Sequence, residues 1–410
     1  MPSRPRRIMV KPELLSPAGD MERLEMVLHY GADAVYLAGK EFGLRASAGN
    51  FSADELHVSV KMAHAKGAKV HVTCNTLPRE GELRRLPEFL ELVQDAGADA
   101  LIIADLGVFA AAKKYAPKVA RHVSTQLGVR NSATANVLYD MGASRVVLAR
   151  ETPLDDICAI RAATPPELEL EAFVHGAMCV SFSGRCLLSN YLTGRDGNRG
   201  ECAQPCRWKY HLVEEKRPGQ YFEITEDGGT HILNSRDLCM IGHLPELIQA
   251  GVTSFKIEGR MKSAYYAAAV TNAYRHAINC AAWGEPLPRI WLDEVEKISH
   301  RPYCTGFYFG EPGQYYADAT YFSDADVCAV VESCDEAGNA VLTQRNKFSV
   351  GDEAELLTNN HDPYRFTVSA MTDGEGNPIG TTPHPMMEIR MKLPFSCERL
   401  SILRKLKSYD

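Results

Sequence analysis

Short, continuously apolar runs recur along the first two thirds of the chain, each followed by a longer amphipathic stretch. The runs Glu13–Pro17, Ala34–Ala38, Lys69–Cys74, Ala100–Ala104, Arg121–Gln126, Arg145–Ala149, Leu168–Val174 and Ser254–Glu258 predict strands buried on both faces. Segments such as Met21–Tyr30, Ala53–Ala65 and Glu82–Ala96 carry the helical period between them. A glycine repeatedly separates helix from strand, as in GADAVYLAG at Gly31, GADALIIAD at Gly97, GASRVVLAR at Gly142 and GVTSFKIEGR at Gly251. Glycine suits the left-handed position just past a helix, and a buried parallel strand then follows. Eight strands in βα order with short connections predict an α/β fold, a (βα)8 TIM-like barrel rather than an open doubly wound sheet.

Seven of these strands precede residue 179 and the eighth begins near Ser254, so residues 179–253 read as an insertion after strand 7. Such connections build the C-terminal face of a barrel, where active sites form. The alanine-rich stretch Ser263–Ala282 predicts the last barrel helix, placing the barrel domain at residues 11–300. Residues 301–325, with the Gly-, Pro- and Tyr-rich HRPYCTGFYFGEP, read as a linker. Residues 326–410 change to short alternating runs between Gly, Asp and Asn turns, which predicts a small C-terminal all-β barrel domain.

Composition narrows the partners. The basic start PSRPRR lacks an apolar core and predicts a disordered tail over residues 1–10 rather than a signal peptide. No apolar run reaches membrane-spanning length, so no membrane partner is expected. The 12 cysteines of a 410-residue chain are not needed as staples, and a reducing cytoplasm is the expected compartment. A net charge of −7 gives no general attraction to nucleic acid, so any RNA footprint must be a local basic surface.

Candidate chemistry concentrates in the insertion. Cys179, Cys186, Cys202 and Cys206 fall within 28 residues, spaced C-x6-C, fifteen residues, then C-x3-C. Four thiolates complete an iron–sulfur cluster or a structural zinc site, and free or catalytic thiols are the remaining reading. The C-x2-C knuckles usual for zinc are absent, as is the C-x3-C-x2-C of radical enzymes. Basic neighbours Arg185, Arg195, Arg199 and Arg207 offset thiolate charge or face solvent.

Other candidates sit at predicted strand ends: Asn75, Asp105, Gln126, Arg150, Glu151, His175, Glu258 and Arg260. His175, four residues before Cys179, is a candidate acid–base group or a supporting donor to a ligand. In SFKIEGRMKS, Lys256, Glu258 and Arg260 alternate along strand and exit, and therefore share the inward or mouth side. A satisfied Glu–Arg pair closing the barrel is the competing reading. The polar Ser124–Gln126 inside a strand needs partners or a ligand. No H-E-x-x-H is present, and VSFSGRC holds only the Ser183–Gly184 half of a nucleophile elbow.

The run EAFVHGAMCVSFSGRCLLSNYLTGRDGNRGECAQPCRWKY, with PELLSPAGDMERLEMVLHYGADAVYLAG, NSRDLCMI, SFKIEGRMKSAYY and NKFSVGDEAEL, resembles the collagenase-like peptidase family of unassigned catalytic type. The C-x3-C-R-W end and the KFSVGD segment are similar to a tRNA-modifying branch of it. That resemblance implies oxygen-independent, prephenate-dependent hydroxylation of the tRNA wobble uridine to 5-hydroxyuridine, using an iron–sulfur cluster. It also implies a 4Fe-4S cluster as cofactor, prephenate as a small dicarboxylate co-substrate, and tRNA as partner. The implied ligands are Cys179, Cys186, Cys202 and Cys206, with Cys239 the alternative for the fourth. Arg260, then Arg150, are the expected carboxylate donors, because a planar guanidinium matches a carboxylate in two hydrogen bonds. Sister branches imply hydroxylation of rRNA or of a quinone precursor, and the family's name implies a peptidase. Arg195, Arg199, Arg207, Arg390 and Lys392 are the expected tRNA contacts.

Overall fold

The structure is a computed structural model that describes residues 11–44, 49–182, 184–208, 212–213, 219, 221–222, 235–313, 315 and 321–407. The tail 1–10 and Ser183 lie outside these residues.

Eight parallel strands close on themselves. They are β1 (Glu13–Pro17), β2 (Ala34–Leu37), β3 (Lys69–Cys74), β4 (Ala100–Ile103), β5 (Ala120–Val123), β6 (Arg145–Val147), β7 (Glu169–Ala177) and the last, β11 (Ser254–Ile257). Closure is set by β11, which pairs with β1 (Glu13↔Ser254) and with β7 (Glu171↔Ser254). The outer face of the strands, including Val35, Val70, Leu101, Val146, Leu170 and Phe255, is buried beneath the helices.

Those helices are α1 (Met21–His29), α2 (Ala53–Ala65), α3 (Leu86–Asp95), α4 (Leu106–Tyr115), α5 (Ser132–Asp140) and α6 (Leu154–Ala162). Several start where a short polar side chain accepts a backbone N–H. Asp20, Ser52, Asp105 and Asn131 do so, and Ser52 completes a capping box with Glu55. Asp105, a candidate site residue in the sequence, is thus the cap of α4.

The chain between β7 and β11 is more structured than a plain insertion. It carries α7 (Leu188–Thr193), the hairpin strands β8 (Leu212–Val213) and β9 (Tyr221–Phe222), β10 (Asp237–Cys239) and α8 (Leu244–Gln249). β10 runs antiparallel beside β7, and α8 is the helix that leads into β11. The expected strand Arg121–Gln126 stops at Val123, because the Ser124 hydroxyl accepts the Gln126 N–H and Thr125–Leu127 curls into a 3-10 turn.

After β11 come α9 (Ala264–Trp283), α10 (Arg289–Glu294) and β12 (Tyr303–Cys304), which pairs with β10 inside the stretch read as linker. The last eight strands are β13 (Ala325–Cys334), β14 (Asn339–Gln344), β15 (Glu353–Leu357), β16 (Tyr364–Thr367), β17 (Met371–Asp373), β18 (Pro378–Ile379), β19 (Glu388–Lys392) and β20 (Ile402–Leu406). They form an antiparallel half-barrel in the order β16-β15-β20-β13-β14-β19-β17-β18 over their own apolar core.

A buried ionic network joins barrel and β-domain. Arg404 of β20 donates to Glu294 of α10 and Glu355 of β15, and Lys297 donates to Glu355 at 2.8 Å. Among the described residues no helix is long and apolar enough to cross a membrane.

Candidate functional site: a thiol-lined cavity at the barrel mouth

A TIM barrel is ordinarily filled by branched aliphatic side chains. This one is filled largely by polar and charged groups, which must be paired to be buried. At its base Glu171 of β7 is fully buried and accepts from Lys256 Nζ (2.8 Å), Arg145 Nη1 (2.9 Å) and the Ser254 hydroxyl (3.3 Å). Burial pushes the Glu171 carboxyl up, but the charges of Lys256 and Arg145 prevail and hold it at about 2. Arg145 also donates to Glu13 at 2.6 Å and Glu169 at 2.7 Å.

Two histidines complete this layer. His71 of β3 and His122 of β5 stack edge to face with ring centres 4.8 Å apart, and burial lowers His71 to about 4 and His122 well below its ordinary value. Both are therefore neutral at pH 7, each with an unpartnered, buried Nδ1. Ligand atoms of His71, His122 and Glu171 lie within 4.8 Å of one another. Both Glu171 oxygens are already taken by cations, so a metal ion there would have to displace one of them.

Above this layer opens a cavity of about 180 Å³. Tyr36, Thr73, Ile102, Ser124, Phe173 and Lys256 form its floor, and Asn75, Gln126, Arg150, Glu258 and Arg260 its sides. Lys256 Nζ is 4.6 Å from the Tyr36 ring centre, and the Arg150 guanidinium lies 4.0 Å over Phe173. Arg150 Nη2 donates to Glu258 at 3.3 Å, and Arg260 Nη1 donates to Thr73 at 3.0 Å.

Lys256, Glu258 and Arg260 therefore reach one cavity, as their alternation along the strand suggests. The β11–β7 register shifts between Lys256 and Ile257, an irregularity that re-aims the strand exit. The exit can pass this close to β7 only because residue 176 is glycine, with φ +110°. A Cβ there would sit 2.4 Å from the Glu258 carbonyl oxygen.

All four clustered cysteines line the same cavity. Cys179 leaves the end of β7, Cys186 precedes α7, and Cys202 and Cys206 follow it. The Asn198 amide donates to the Cys186 carbonyl at 3.0 Å, the Gln204 N–H to Cys202 Sγ at 3.3 Å, and the Ala203 N–H to the Ser189 hydroxyl at 3.0 Å. Gly197 packs beside Cys202. Burial, and behind it the charges of Cys179, Cys202 and Cys186, raise the Cys206 thiol despite Arg207. Cys239, the alternative fourth member, points to the Tyr274 hydroxyl at 3.9 Å and is pushed up to about 12 by burial. It is not among the cavity residues.

His175 is also outside the lining. It is 1% exposed, packed among Tyr266, Tyr274 and Tyr303, with Nδ1 3.3 Å from the Tyr274 hydroxyl, and burial lowers it to about 3. Gln126 and Arg150 are brought to the cavity with Glu258 and Arg260; His175, Asp105 and Glu151 are not. Sequence reasoning missed Tyr36, Thr73, Phe173 and the His71–His122–Glu171 layer. For Thr73, His71, His122 and Glu171 the signal was present as polar residues at alternate positions of buried strands, in KVHVTC, ARHV and ELEAF.

Of the expected RNA contacts, Arg195 is exposed, Arg199 is paired with Glu82 at 2.5 Å, and Arg207 donates to Gln204 and to the Tyr321 hydroxyl. Arg390 is paired with Glu388 at 2.8 Å. Lys392 is exposed at the end of β19.

Residues 19–318 match the peptidase family U32 domain and residues 323–404 the U32 C-terminal domain. The chain is 36% identical to tRNA hydroxylation protein P1 of Bacillus subtilis, over 98% of this chain and 96% of that one. It is 35% identical to tRNA hydroxylation protein P of Escherichia coli, over 95% of each chain. It is also 40% identical to the 23S rRNA 5-hydroxycytidine synthase of E. coli, over 65% of this chain and 39% of that one. A domain match over most of its length and near full-length relatives above 30% identity show that this chain belongs to peptidase family U32.

Proposed function

We propose that the protein is an RNA-modifying enzyme that hydroxylates the wobble uridine of tRNA to 5-hydroxyuridine. In this reading a 4Fe-4S cluster is held by Cys179, Cys186, Cys202 and Cys206, and prephenate is the co-substrate. The observation that carries it is the composition of one cavity: four cysteines above, and Arg150, Lys256 and Arg260 at its sides and floor. The names of the relatives support RNA hydroxylation as the reaction class.

The donor set fits a cluster. A single zinc ion with Zn–S bonds of ~2.3 Å would draw its sulfurs to within ~3.8 Å of one another. Among the described residues, the only group of three or more His, Cys, Asp or Glu ligand atoms within 4.8 Å is His71, His122 and Glu171. Four thiols lining one cavity offer the ligand count of a cubane cluster. When bound, such a centre supplies electron transfer or Lewis acidity at the mouth of the cavity.

The protein's own groups supply the rest. Arg260 and Lys256 are nearly buried, and among the described residues Glu258 is the only carboxylate in the lining, paired with Arg150. Arg150, Lys256 and Arg260 bring cationic donors to the cavity, which suits a ligand with two carboxylates, since burying such a ligand without them is prohibitive. Phe173, Tyr36 and Ile102 offer apolar walls for a ring and exclude water around it.

The family name favours a peptidase, but a cysteine peptidase needs an imidazole beside its thiol. Among the described residues no histidine lines the cavity, and His175 is sealed behind tyrosines.

The test is nucleoside analysis of tRNA from a strain lacking the gene. 5-Hydroxyuridine and its derivatives should vanish and return with the wild-type gene, but not with the Cys202→Ala form. An unchanged tRNA nucleoside profile in the deletion strain would refute the proposal.

A further inference from the structure

The thiol-bearing lobe presents an outer face on which several large apolar side chains are exposed. Leu187, Tyr191 and Leu192 on and beside α7 are 58, 84 and 51% exposed, and Trp208 is 42% exposed. Both aromatic groups are tied to the cavity wall by short connections. Leu188 of α7 and Pro205 line the cavity, the Ala203 N–H is fastened to Ser189 of α7, and the Trp208 N–H donates to the Pro205 carbonyl at 3.0 Å.

Contiguous exposed apolar groups at the rim of a site mark an interaction surface. Two exposed arginines stand on the same lobe: Arg185, against Gly128 at the end of β5, and Arg195, just past α7. Among the described residues neither forms an ion pair, although the chain as a whole carries a charge of −7. Aromatic rings interleaved with unpaired arginines match the stacking and phosphate chemistry of unpaired nucleic acid.

The depth of the cavity points the same way. Its floor residues Thr73, Ser124, Phe173 and Lys256 are each no more than 5% exposed. A base held in a duplex cannot reach them, so a base that enters must be splayed out of a single-stranded segment. Its neighbours along the strand then fall on the rim.

We propose that Tyr191 and Trp208 are stacking platforms for the unpaired nucleotides flanking the modified base, with Arg185 and Arg195 on the adjoining phosphates. This rests on the RNA reading above and adds the surface that selects a single-stranded loop over a duplex.

The experiment measures binding, not turnover, on the full-length protein carrying its cluster. The probes are a fluorescently labelled, unmodified anticodon stem–loop and a duplex of matching length. Stacking contributes ~1–3 kcal/mol per base, so Tyr191→Ala and Trp208→Ala should each weaken stem–loop binding roughly tenfold or more. Both should leave the weak duplex binding and the cluster absorbance unchanged. Tyr191→Phe and Trp208→Phe keep a ring and should restore affinity. Arg185→Gln with Arg195→Gln should lower the salt dependence of binding.

Wild-type affinity in both alanine variants, with the wild-type protein binding the stem–loop, would overturn the platform and leave the RNA reading standing. A dimer that Tyr191→Ala dissociates would assign the face to a second copy of the chain and also overturn it. A wild-type protein with no affinity for either RNA would remove the RNA reading itself.

Discussion

Replacing Glu171 by glutamine tests whether the charged interior of the barrel is held together as the structure indicates. The wild-type carboxylate is fully buried and neutralises Lys256 and Arg145. Glu171→Gln keeps the shape but leaves the Lys256 ammonium at the cavity floor without a carboxylate. Holding the Glu171 carboxyl at about 2 rather than its ordinary 4.5 corresponds to about 3 kcal/mol of folding stability. Breaking a buried pair by removing one partner typically costs ~3–5 kcal/mol, which agrees.

The sign follows from a folded-state pKa below the unfolded one. The contribution is complete above pH ~4.5 and is lost as the pH falls through about 2, at about 1.4 kcal/mol per pH unit. Urea unfolding of wild type and variant should therefore differ by about 3 kcal/mol or more from pH 5 to 7. The gap should narrow by about 1 kcal/mol on going to pH 3.5. Equal stability at pH 7, or a gap that stays constant from pH 5 to 3.5, would show that Glu171 does not carry the charge pairing assigned to it.

Other outcomes follow from the same geometry. Protein purified without oxygen should hold about four irons, and Cys206→Ala should lose them while Cys239→Ala keeps them, as measured by iron and sulfide analysis. Arg260→Lys keeps a cation but not the planar fork, so it should keep the cluster spectrum yet lose most wobble-uridine hydroxylation in a complemented deletion strain. Arg404→Met leaves Glu294 with Lys297, and Glu355 with Lys297 and the exposed Arg365, and should lower stability by ~3 kcal/mol in urea melts. His175→Phe replaces a neutral, buried ring among tyrosines, and should leave hydroxylation within a few-fold of wild type while changing thermal stability. Loss of activity in a folded His175→Phe protein would return that histidine to the chemistry.

Local pattern carried most of the architecture. Continuous apolar strands, amphipathic helices and the glycine after each helix encode a βα repeat, because each is a short-range consequence of burial and backbone geometry. The order of strands along the chain also placed the cysteines in the connection after β7, and so at the mouth. The alternation of Lys256, Glu258 and Arg260 was legible because side chains two apart share a face of a strand.

Other properties depend on residues far apart in sequence. That Cys206 lines the cavity while Cys239 lies against Tyr274 depends on β10 folding back on β7. His175 looked like a site residue from its neighbour Cys179, yet it lies in a strand that alternates faces, and α9 with β12 closes tyrosines over it. The pairing of Glu171 with Arg145 and Lys256 joins three strands across separations of 26 and 85 residues. No local period records such a match, because it exists only when the barrel closes and removes water from all three charges at once.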